Sequence, residues 1–190
     1  MVFKFSKTEL EWAYVISPQV FGDERWFFME TYNQKDFQNN WIPNIFIQDN
    51  HSKSHKWVFR WFHFQTQNIQ AKLIRVTKWS ILDFVIDLRK KSPTYKEYIM
   101  EFLSAENKKQ LFIPKWFAHW FLTLEDWTEF IYKCDDLYNP KAEWGIIYND
   151  AKININREEL MKEYSIKELI ISEKDKKNLT LEEFYKINPF

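Results

Sequence analysis

The sequence predicts an all-β fold, a sandwich or barrel of antiparallel strands that ends in a short helical tail. Short runs rich in aromatic and β-branched residues recur over residues 13–148, and polar or proline-bearing breaks separate them. Helical signals are confined to residues 34–39 and to the last fifth of the chain. With 190 residues, the chain has the size of one domain. We therefore expect a single domain over 1–190, with a core over about 3–150 and a helical tail over 151–190.

The predicted strands are short and evenly spaced along the chain. They cover residues 13–16, 44–48, 57–65, 72–77, 81–89, 110–113, 118–123 and 128–134. Alternation is clearest in the strand around residue 84, where Leu82, Phe84 and Ile86 alternate with Asp83 and Asp87. Successive side chains of a strand point to opposite faces, so the face that carries Leu82, Phe84 and Ile86 is predicted to be core.

The tail carries two helical signals. Residues 159–170 place Met161, Ile166 and Leu169 loosely on one side of a helix, and Thr180 to Glu183 have the spacing of a capping box. We expect the tail to pack on the barrel.

Charge and cysteine content narrow the function classes. The chain has 27 Lys and Arg and 27 Asp and Glu, so no overall field attracts nucleic acid or anionic lipid. Cys134 is the single cysteine and no leader pattern opens the sequence, which favours a reducing cytoplasm. No run approaches the roughly 20 apolar residues of a membrane span. We predict no nucleic-acid partner, no membrane partner and a cytoplasmic location.

Two histidines in apolar strand-like runs suggest an acid/base site. His63 lies in one run and His119 in another, and Tyr132 lies in a third. A histidine base and a tyrosine acid on opposing strands can remove a proton from one side of a carbon and return it to the other, which inverts a stereocentre. The alternative is that both His63 and Tyr132 are ordinary core residues with satisfied polar groups.

Three basic side chains are candidates for binding an anionic substrate. Lys72 would stabilise an enolate oxygen if it points inward, and Arg25 and Arg60 suit a diphosphate because guanidinium groups pair with phosphate oxygens. Taken singly, each is more often a surface residue. Neither His63 nor His119 has a second ligand two residues away, so we expect no metal. His51 and His55 lie in a polar stretch and are predicted to face solvent.

Several segments together resemble the dTDP-4-dehydrorhamnose 3,5-epimerase family. The resemblance runs in order from about residue 3 to residue 175. Its motifs are Phe21-Gly22-Asp23-Glu24-Arg25, Met29-Glu30-Thr31-Tyr32, Gln48-Asp49-Asn50-His51-Ser52, Arg60 with His63-Phe64-Gln65, Asp87-Leu88-Arg89-Lys90, Leu103-Ser104-Ala105-Glu106-Asn107, Phe117-Ala118-His119 and Tyr132-Lys133-Cys134.

The resemblance implies a cupin-type jelly roll that acts as a homodimer, without metal or cofactor, on dTDP-4-dehydro-6-deoxy-D-glucose. It implies that His63 removes the C3 and C5 protons next to the C4 ketone, that Tyr132 donates on the other face, and that Asp175 orients His63. Together with Lys72 these form the implied catalytic set. The implied substrate-binding positions are Arg25, Glu30, Gln48, Asn50, Arg60, His119, Glu143 and Lys174.

The chain departs from this family in its tryptophans. It has ten tryptophans and only two glycines, where about 7% glycine is usual. Tryptophan stands where the family typically has glycine at positions 26, 57, 61, 79, 116 and 120, with 12, 41 and 144 as further candidates. Strict alternation puts Arg60 and His63 on opposite faces unless the strand bulges between them, which glycine at 61 would ease. We expect Trp61 and Trp120 to fill the cavity and to reduce turnover.

Two alternatives to the 3,5-epimerase remain at this level. One is a catalytically impaired sugar-nucleotide-binding cupin whose pocket is filled by tryptophan. The other is a relative that epimerises only C3 or moves the ketone between C3 and C4. Hydrogen exchange at C3 and C5 and product analysis distinguish them.

Overall fold

A computed structural model of the chain describes residues 2–147, 150, 152–153, 155–173, 177–187 and 190, except for the side chains of Trp61, Phe62 and Arg157. The strands in chain order are β1 (Phe3–Lys7), β2 (Tyr14–Pro18), β3 (Phe21–Asp23), β4 (Trp26–Phe28), β5 (Gln48–Ser54), β6 (Phe59–Gln65), β7 (Lys72–Lys78), β8 (Ser80–Asp87), β9 (Tyr98–Ser104), β10 (Gln110–Ile113), β11 (Phe117–Thr123), β12 (Thr128–Cys134) and β13 (Glu143–Ile146). The helices are α1 (Gln34–Asn39), α2 (Arg157–Glu163) and α3 (Leu181–Ile187).

Two antiparallel sheets form the body of the fold. One has the strand order β1-β2-β10-β7-β12-β5, and the other has the order β13-β6-β11-β8-β9. Strands β3 and β4 form a separate hairpin. Because neighbours in each sheet are mostly not consecutive in the chain, the chain crosses repeatedly from one sheet to the other, as in a jelly roll. The predicted all-β class is confirmed.

Three apolar layers hold these elements together. The layer between the sheets joins residues such as Ile74 and Phe130 of one sheet to Val85 and Phe121 of the other. A second layer packs the outer face of the five-stranded sheet against the tail, through residues that include Phe84, Leu160 and Phe184. The third covers the outer face of the six-stranded sheet with α1. The tail therefore packs on the sandwich, as the sequence predicted.

The helix ends follow local sequence signals. The side chain of Asn33 caps α1 by accepting hydrogen bonds from the backbone N–H groups of Lys35 and Asp36. At α3, the N–H of Thr180 donates to Glu183 Oε2 at 2.8 Å and the N–H of Glu183 donates to Thr180 Oγ1 at 3.2 Å, which confirms the capping box.

Helix α2 ends at Glu163, earlier than the predicted segment 159–170. Ser165 has a positive φ of 52°, the N–H of Ser165 bonds to Lys162 O, and the N–H of Ile166 bonds to Met161 O. This is a Schellman motif, which turns the chain out of the helix and directs Ile166 into the core.

The strand predicted over 44–48 is wrong, because β5 begins at Gln48 and runs through the polar stretch that the sequence predicted as a break. Strand β5 lies at the edge of its sheet, with the polar side chains of Gln48, Asn50 and Ser52 partly buried and the residues between them exposed. It lacks apolar alternation because its inner face is polar. Strands β1, β3, β4, β9 and β13 were also missed.

Strand β8 is buried on both faces rather than on one. All eight of its residues are buried, and the side chains of Asp83 and Asp87 have no exposed surface. Its outer face packs under the tail, and its inner face contributes Ile81 and Val85 to the layer between the sheets.

Tryptophan occupies many of the turns with left-handed backbone. Positive φ angles occur at Trp12 (70°), Trp26 (135°), Trp41 (69°), Trp57 (63°), Trp79 (65°), Trp116 (66°) and Trp127 (63°).

Within the described ranges, no helix is long and apolar enough to cross a membrane.

Candidate active site

A cavity of about 410 Å³ opens between the two sheets. Its volume lies in the range of about 300–1,000 Å³ that small-molecule sites occupy. Among the side chains that line it are eight of the predicted site residues: Gln48, Asn50, Arg60, His63, Lys72, His119, Tyr132 and Glu143. Phe64, Phe117, Phe121, Phe130 and Tyr138 add aromatic surface.

A β-bulge in β6 brings Arg60 and His63 to the same cavity. His63 pairs with His119 and Arg60 pairs with Phe121, so two residues of β6 lie opposite the single residue Trp120 of β11. The extra residue shifts the alternation by one position, which turns Arg60 to the face that His63 already occupies. The bulge that the alternation required is therefore present, at residues 61 and 62.

His63 lies in the wall formed by the five-stranded sheet, and its Nδ1 is 2.9 Å from Glu143 Oε1. The other carboxylate oxygen of Glu143 accepts a hydrogen bond from the Tyr138 hydroxyl at 3.0 Å. Glu143 belongs to β13, where Gly145 pairs with His63, so its side chain reaches the imidazole from the diagonal position.

His119 and Asp83 lie side by side in the interior, with 2.5 Å between His119 Nε2 and Asp83 Oδ1. Burial lowers the pKa of His119 and raises the pKa of Asp83, while their mutual attraction opposes both shifts. Sequence reasoning missed Asp83 as a site residue because it assigned this side chain to the face of β8 opposite the core. An aspartate in an otherwise apolar strand was the available signal.

Lys72 and Tyr132 lie in the opposite wall, on β7 and β12 of the six-stranded sheet. Burial lowers the pKa of Lys72, and the nearby Cys134, Asp83 and Glu143 oppose that shift. Burial also raises the pKa of Tyr132, so its phenol is held in the protonated form. The Cys134 thiol, which pairs in register with Lys72, has its pKa raised by burial to about 11.

Two amides line the edge of the cavity in a fixed arrangement. Gln48 accepts a hydrogen bond from the backbone N–H of Tyr138 at 3.0 Å and donates to Asn50 Oδ1 at 3.0 Å. Asn50 in turn donates to Cys134 Sγ at 3.7 Å. Because each amide is oriented by its neighbours, the donors and acceptors of this edge are preset.

Four predicted site residues are not brought to this cavity by the described part of the chain. Arg25 lies in the β3–β4 hairpin with 85% of its side chain exposed, paired with Asp23. Glu30 is partly buried beyond the end of β4 and does not line the cavity. Asp175 and Lys174 lie outside the described residues.

Trp120 is among the residues that line the cavity, but the prediction that its ring fills the cavity is wrong, and the side chain of Trp61 lies outside the described residues. The Trp120 ring lies in the layer under the tail, stacked on Phe84 with centroids 3.5 Å apart and 4.3 Å from the Phe59 centroid. Alternation along β11 sends His119 and Phe121 inward and Trp120 outward. The space between the sheets therefore remains open beside Trp120.

The other histidines face solvent, as the sequence predicted. His51 lies 3.2 Å from Glu129 and His55 lies 3.4 Å from Asp126, with more than half of each imidazole side chain exposed. Among the described residues, no group of three or more His, Cys, Asp or Glu side chains is arranged to hold a metal ion.

Comparison with known proteins identifies relatives across most of the chain. The family model for dTDP-4-dehydrorhamnose 3,5-epimerase matches residues 7–183. The protein of that name from Methanothermobacter thermautotrophicus is 45% identical over 174 residues, which cover 92% of each chain. The protein of that name from Escherichia coli is 41% identical over 183 residues, which cover 95% of this chain and 96% of the relative.

A solved structure supports the same relationship. The crystal structure of a dTDP-6-deoxy-D-glucose-3,5-epimerase from Legionella pneumophila in complex with dTDP-4-keto-L-rhamnose superposes with a TM-score of 0.87. It is 35% identical in sequence, and the match covers 95% of this chain and 93% of that one. Each of these three matches covers at least 92% of both chains.

Proposed function

This chain belongs to the dTDP-4-dehydrorhamnose 3,5-epimerase family, and from that premise we propose that its cavity epimerises dTDP-4-dehydro-6-deoxy-D-glucose at C3 and C5. The product is dTDP-4-dehydro-L-rhamnose. The observation that carries the assignment of roles is that His63 and Tyr132 enter one cavity from opposing sheets.

The reaction needs a base on one side of a carbon and an acid on the other. The C4 ketone acidifies the C3 and C5 protons, His63 takes the proton, and the electron pair of the broken C–H bond moves onto the ketone oxygen as an enolate. Tyr132 then protonates the same carbon from the opposite face. Proton exchange with solvent returns His63 and Tyr132 to their starting states, so the reaction neither gains nor loses a proton.

The electrostatics of the opposite wall suit this cycle. Tyr132 must begin protonated, and burial raises its pKa. Lys72 would stand beside the enolate oxygen, where an ammonium stabilises the negative charge of the transition state. Burial lowers the pKa of Lys72, and the nearby Cys134, Asp83 and Glu143 oppose that shift. Gln48, Asn50, Arg60 and His119 would hold the nucleotide and the sugar, and Asp175 and Lys174 keep the roles that the resemblance implies.

Deuterium incorporation provides the test. We expect the protein to exchange the C3 and C5 hydrogens of the substrate in D₂O, as followed by NMR, and His63→Asn to abolish exchange at both carbons. Tyr132→Phe leaves the base in place and should therefore permit exchange while blocking inversion. His55→Asn is the matched control, because His55 lies in an exposed turn outside the cavity.

Two results would overturn the assignment. One is substrate binding without any exchange, which would indicate an impaired sugar-nucleotide-binding protein. The other is exchange confined to C3, or a shifted ketone in the product, which would indicate the single-carbon or ketoisomerase alternative.

We further propose that the protein acts as a homodimer in which the β3–β4 hairpin reaches the second copy. The side chains of this hairpin are exposed, and they include Phe21, Phe27 and Phe28, with Phe28 66% exposed. A contiguous exposed apolar surface of this kind is typical of an interface. Arg25 lies in the same hairpin and does not line the cavity of its own chain, so it would meet the substrate phosphates in the partner.

Mixed dimers test this arrangement. Arg25→Ala and His63→Asn chains, each inactive alone, should regain about one intact site per mixed dimer when they are mixed. A mixture that stays inactive although light scattering shows dimers would exclude the shared site, and a monomeric, active protein would exclude the dimer.

The single cysteine supports a cytoplasmic location, which fractionation of the source cell tests.

A further inference from the structure

Glu143 contacts the imidazole of His63, and substrate binding alone does not require that contact. Its Oε1 lies 2.9 Å from His63 Nδ1, its Oε2 accepts the Tyr138 hydroxyl at 3.0 Å, and its side chain is 13% exposed. Both carboxylate oxygens are thus engaged by protein groups. The side chain is held on two sides before any substrate enters.

These contacts determine which imidazole nitrogen carries a proton. An ionised carboxylate can only accept hydrogen bonds, so His63 Nδ1 must be the donor in this pair. In the neutral ring the lone pair then resides on Nε2, which is the tautomer that a base acting through Nε2 requires. The carboxylate also stabilises the imidazolium that forms when the proton is taken.

We propose that Glu143 is a positioning residue for His63, which fixes the tautomer and orientation of the base, and that Tyr138 holds Glu143 in place. This inference rests on the proposed epimerase function, because it assigns the base of that reaction. It adds a second carboxylate to the role that the resemblance implies for Asp175, and it changes the expected role of Glu143 from binding substrate to tuning the base.

Other charged and titratable groups also face this part of the cavity and contribute to the titration of His63. They are Arg60 on the same strand, His119 with its partner Asp83 on the neighbouring strands, Lys72 and Tyr132 in the opposite wall, Tyr138 beside Glu143, and Asp175 if it takes its implied position. All of these remain when Glu143 alone is changed, so the variant isolates its contribution.

Glu143→Gln provides the test, because glutamine keeps the size and one acceptor but removes the charge. An opposite charge at hydrogen-bond distance raises a histidine pKa, so its removal should move the acid limb of kcat/KM down by about one pH unit. The same change should lower kcat by about 10-fold or more with little change in KM. Tyr138→Phe should produce a smaller shift in the same direction.

The outcomes are separable from the failure of the proposed function. If the unaltered protein does not exchange C3 and C5 hydrogens, the epimerase assignment fails. If it does exchange them but Glu143→Gln raises KM alone and leaves the pH profile unmoved, Glu143 binds substrate and the positioning role is overturned. A double variant, Glu143→Gln with Gln48→Glu, carries a carboxylate elsewhere on the cavity wall. We expect it to keep the shifted pH profile of Glu143→Gln and not to recover the pH profile of the unaltered protein.

A second inference rests on an independent observation, the backbone at the tryptophans. Seven of the ten tryptophans have φ angles between 63° and 135°, a region that residues with a Cβ rarely adopt and that glycine adopts readily. Trp12, Trp26, Trp41, Trp79, Trp116 and Trp127 are also more than 40% exposed. Indole rings are seldom so exposed, because their burial is strongly favourable.

The turn after α1 shows the mismatch most clearly. Trp41 follows the C-cap Asn40, its N–H bonds to Gln38 O, and the N–H of Ile42 bonds to Phe37 O. This is a Schellman motif with Trp41 at the left-handed position, which is usually glycine. In the interior, Trp120 lies face to face on Phe84 with an interplanar angle of 5°, an arrangement that aromatic pairs avoid.

We infer that the cell of origin inserts glycine at the positions where the sequence has tryptophan. One codon is read as glycine in that cell but was translated as tryptophan in the sequence. One decoding difference accounts for the excess of tryptophan, the shortage of glycine and the left-handed backbone together. A set of independent substitutions would have no reason to select glycine positions repeatedly.

Peptide mass spectrometry of the protein purified from its source cell decides the matter. Cleavage after Lys115 and Lys133 yields a peptide with positions 116, 120 and 127, and cleavage after Lys56 and Arg60 isolates position 57. Masses that correspond to glycine at these positions support the inference. Masses that correspond to tryptophan at positions 57, 116 and 127 would overturn it. The same chain made in a host with the standard code provides the tryptophan-containing reference.

Discussion

The turns at the strand ends and the cavity between the sheets differ in how the tryptophans affect them. In the turns, indole groups stand on left-handed backbone and project largely into solvent. At the cavity, Trp120 points away from the substrate space, and the predicted acid, base and lysine all line that space. The comparison teaches that tryptophan at these positions strains the turns of the scaffold but not the cavity, because the pairing register keeps the cavity residues in place.

The strongest test of this contrast is to restore glycine at the seven left-handed positions together. A non-glycine residue in this region costs about 1–3 kcal/mol and glycine returns part of that as chain entropy, so we expect a net gain of about 1 kcal/mol per site. The effects of distant sites add, so the seven changes together should raise the free energy of unfolding by about 7 kcal/mol. Urea denaturation measures it.

Phe102→Gly is the matched control for that experiment. Phe102 is a large aromatic residue with 45% exposure, but it lies in the regular strand β9, where glycine costs about 0.5–1 kcal/mol. If the glycine variants at the turns lose stability as Phe102→Gly does, left-handed strain is absent from the turns and the contrast with the cavity disappears.

Removal of Asp83 tests the cavity side of the comparison. Asp83→Ala leaves the buried His119 without its polar partner, and a buried polar group left unsatisfied costs about 1–3 kcal/mol. We expect the melting temperature and turnover to fall together. Asp126→Ala removes the partner of the exposed His55 and should leave both unchanged. Equal effects of the two changes would mean that the interior pair contributes no more than a surface pair.

The smallest expected effect is a difference between Asp83 and Asp87 of β8 in how their contributions to stability depend on pH. Burial alone would raise the pKa of Asp87, but hydrogen bonds from Arg89, Ser92 and Thr94 outweigh it and lower the pKa below the ordinary value. A carboxyl with a lowered folded pKa stabilises above its unfolded pKa, and that stability is lost as pH falls through the folded pKa.

Stability that depends on Asp87 should therefore be complete above about pH 4 and decline below it. Comparison of acid unfolding curves for the unaltered protein and Asp87→Asn measures this, and the two curves should converge at low pH. Asp83 has a raised pKa and should not contribute in this acid window, so curves for Asp87→Asn that stay parallel down to pH 2 would contradict the assignment.

Local sequence predicted those features that depend on neighbours in the chain. The strands β10 and β12 were predicted at their observed bounds, because alternation and β-branched composition are local. The helix α1 and the capping box of α3 were predicted for the same reason. Strand β5 was missed because its inner face is polar. That face is polar because it lines the cavity, and the cavity forms only when the two sheets pack together.

For this protein, then, the sequence alone determined the all-β class, the identity of the candidate acid and base, and the positions where glycine is missing. Tertiary structure alone decided that a bulge puts Arg60 beside His63, that Asp83 pairs with His119, and that Glu143 reaches the imidazole. Those contacts join strands that are up to 80 residues apart. Their geometry depends on sheet register, and register is a property of paired strands that no single segment encodes.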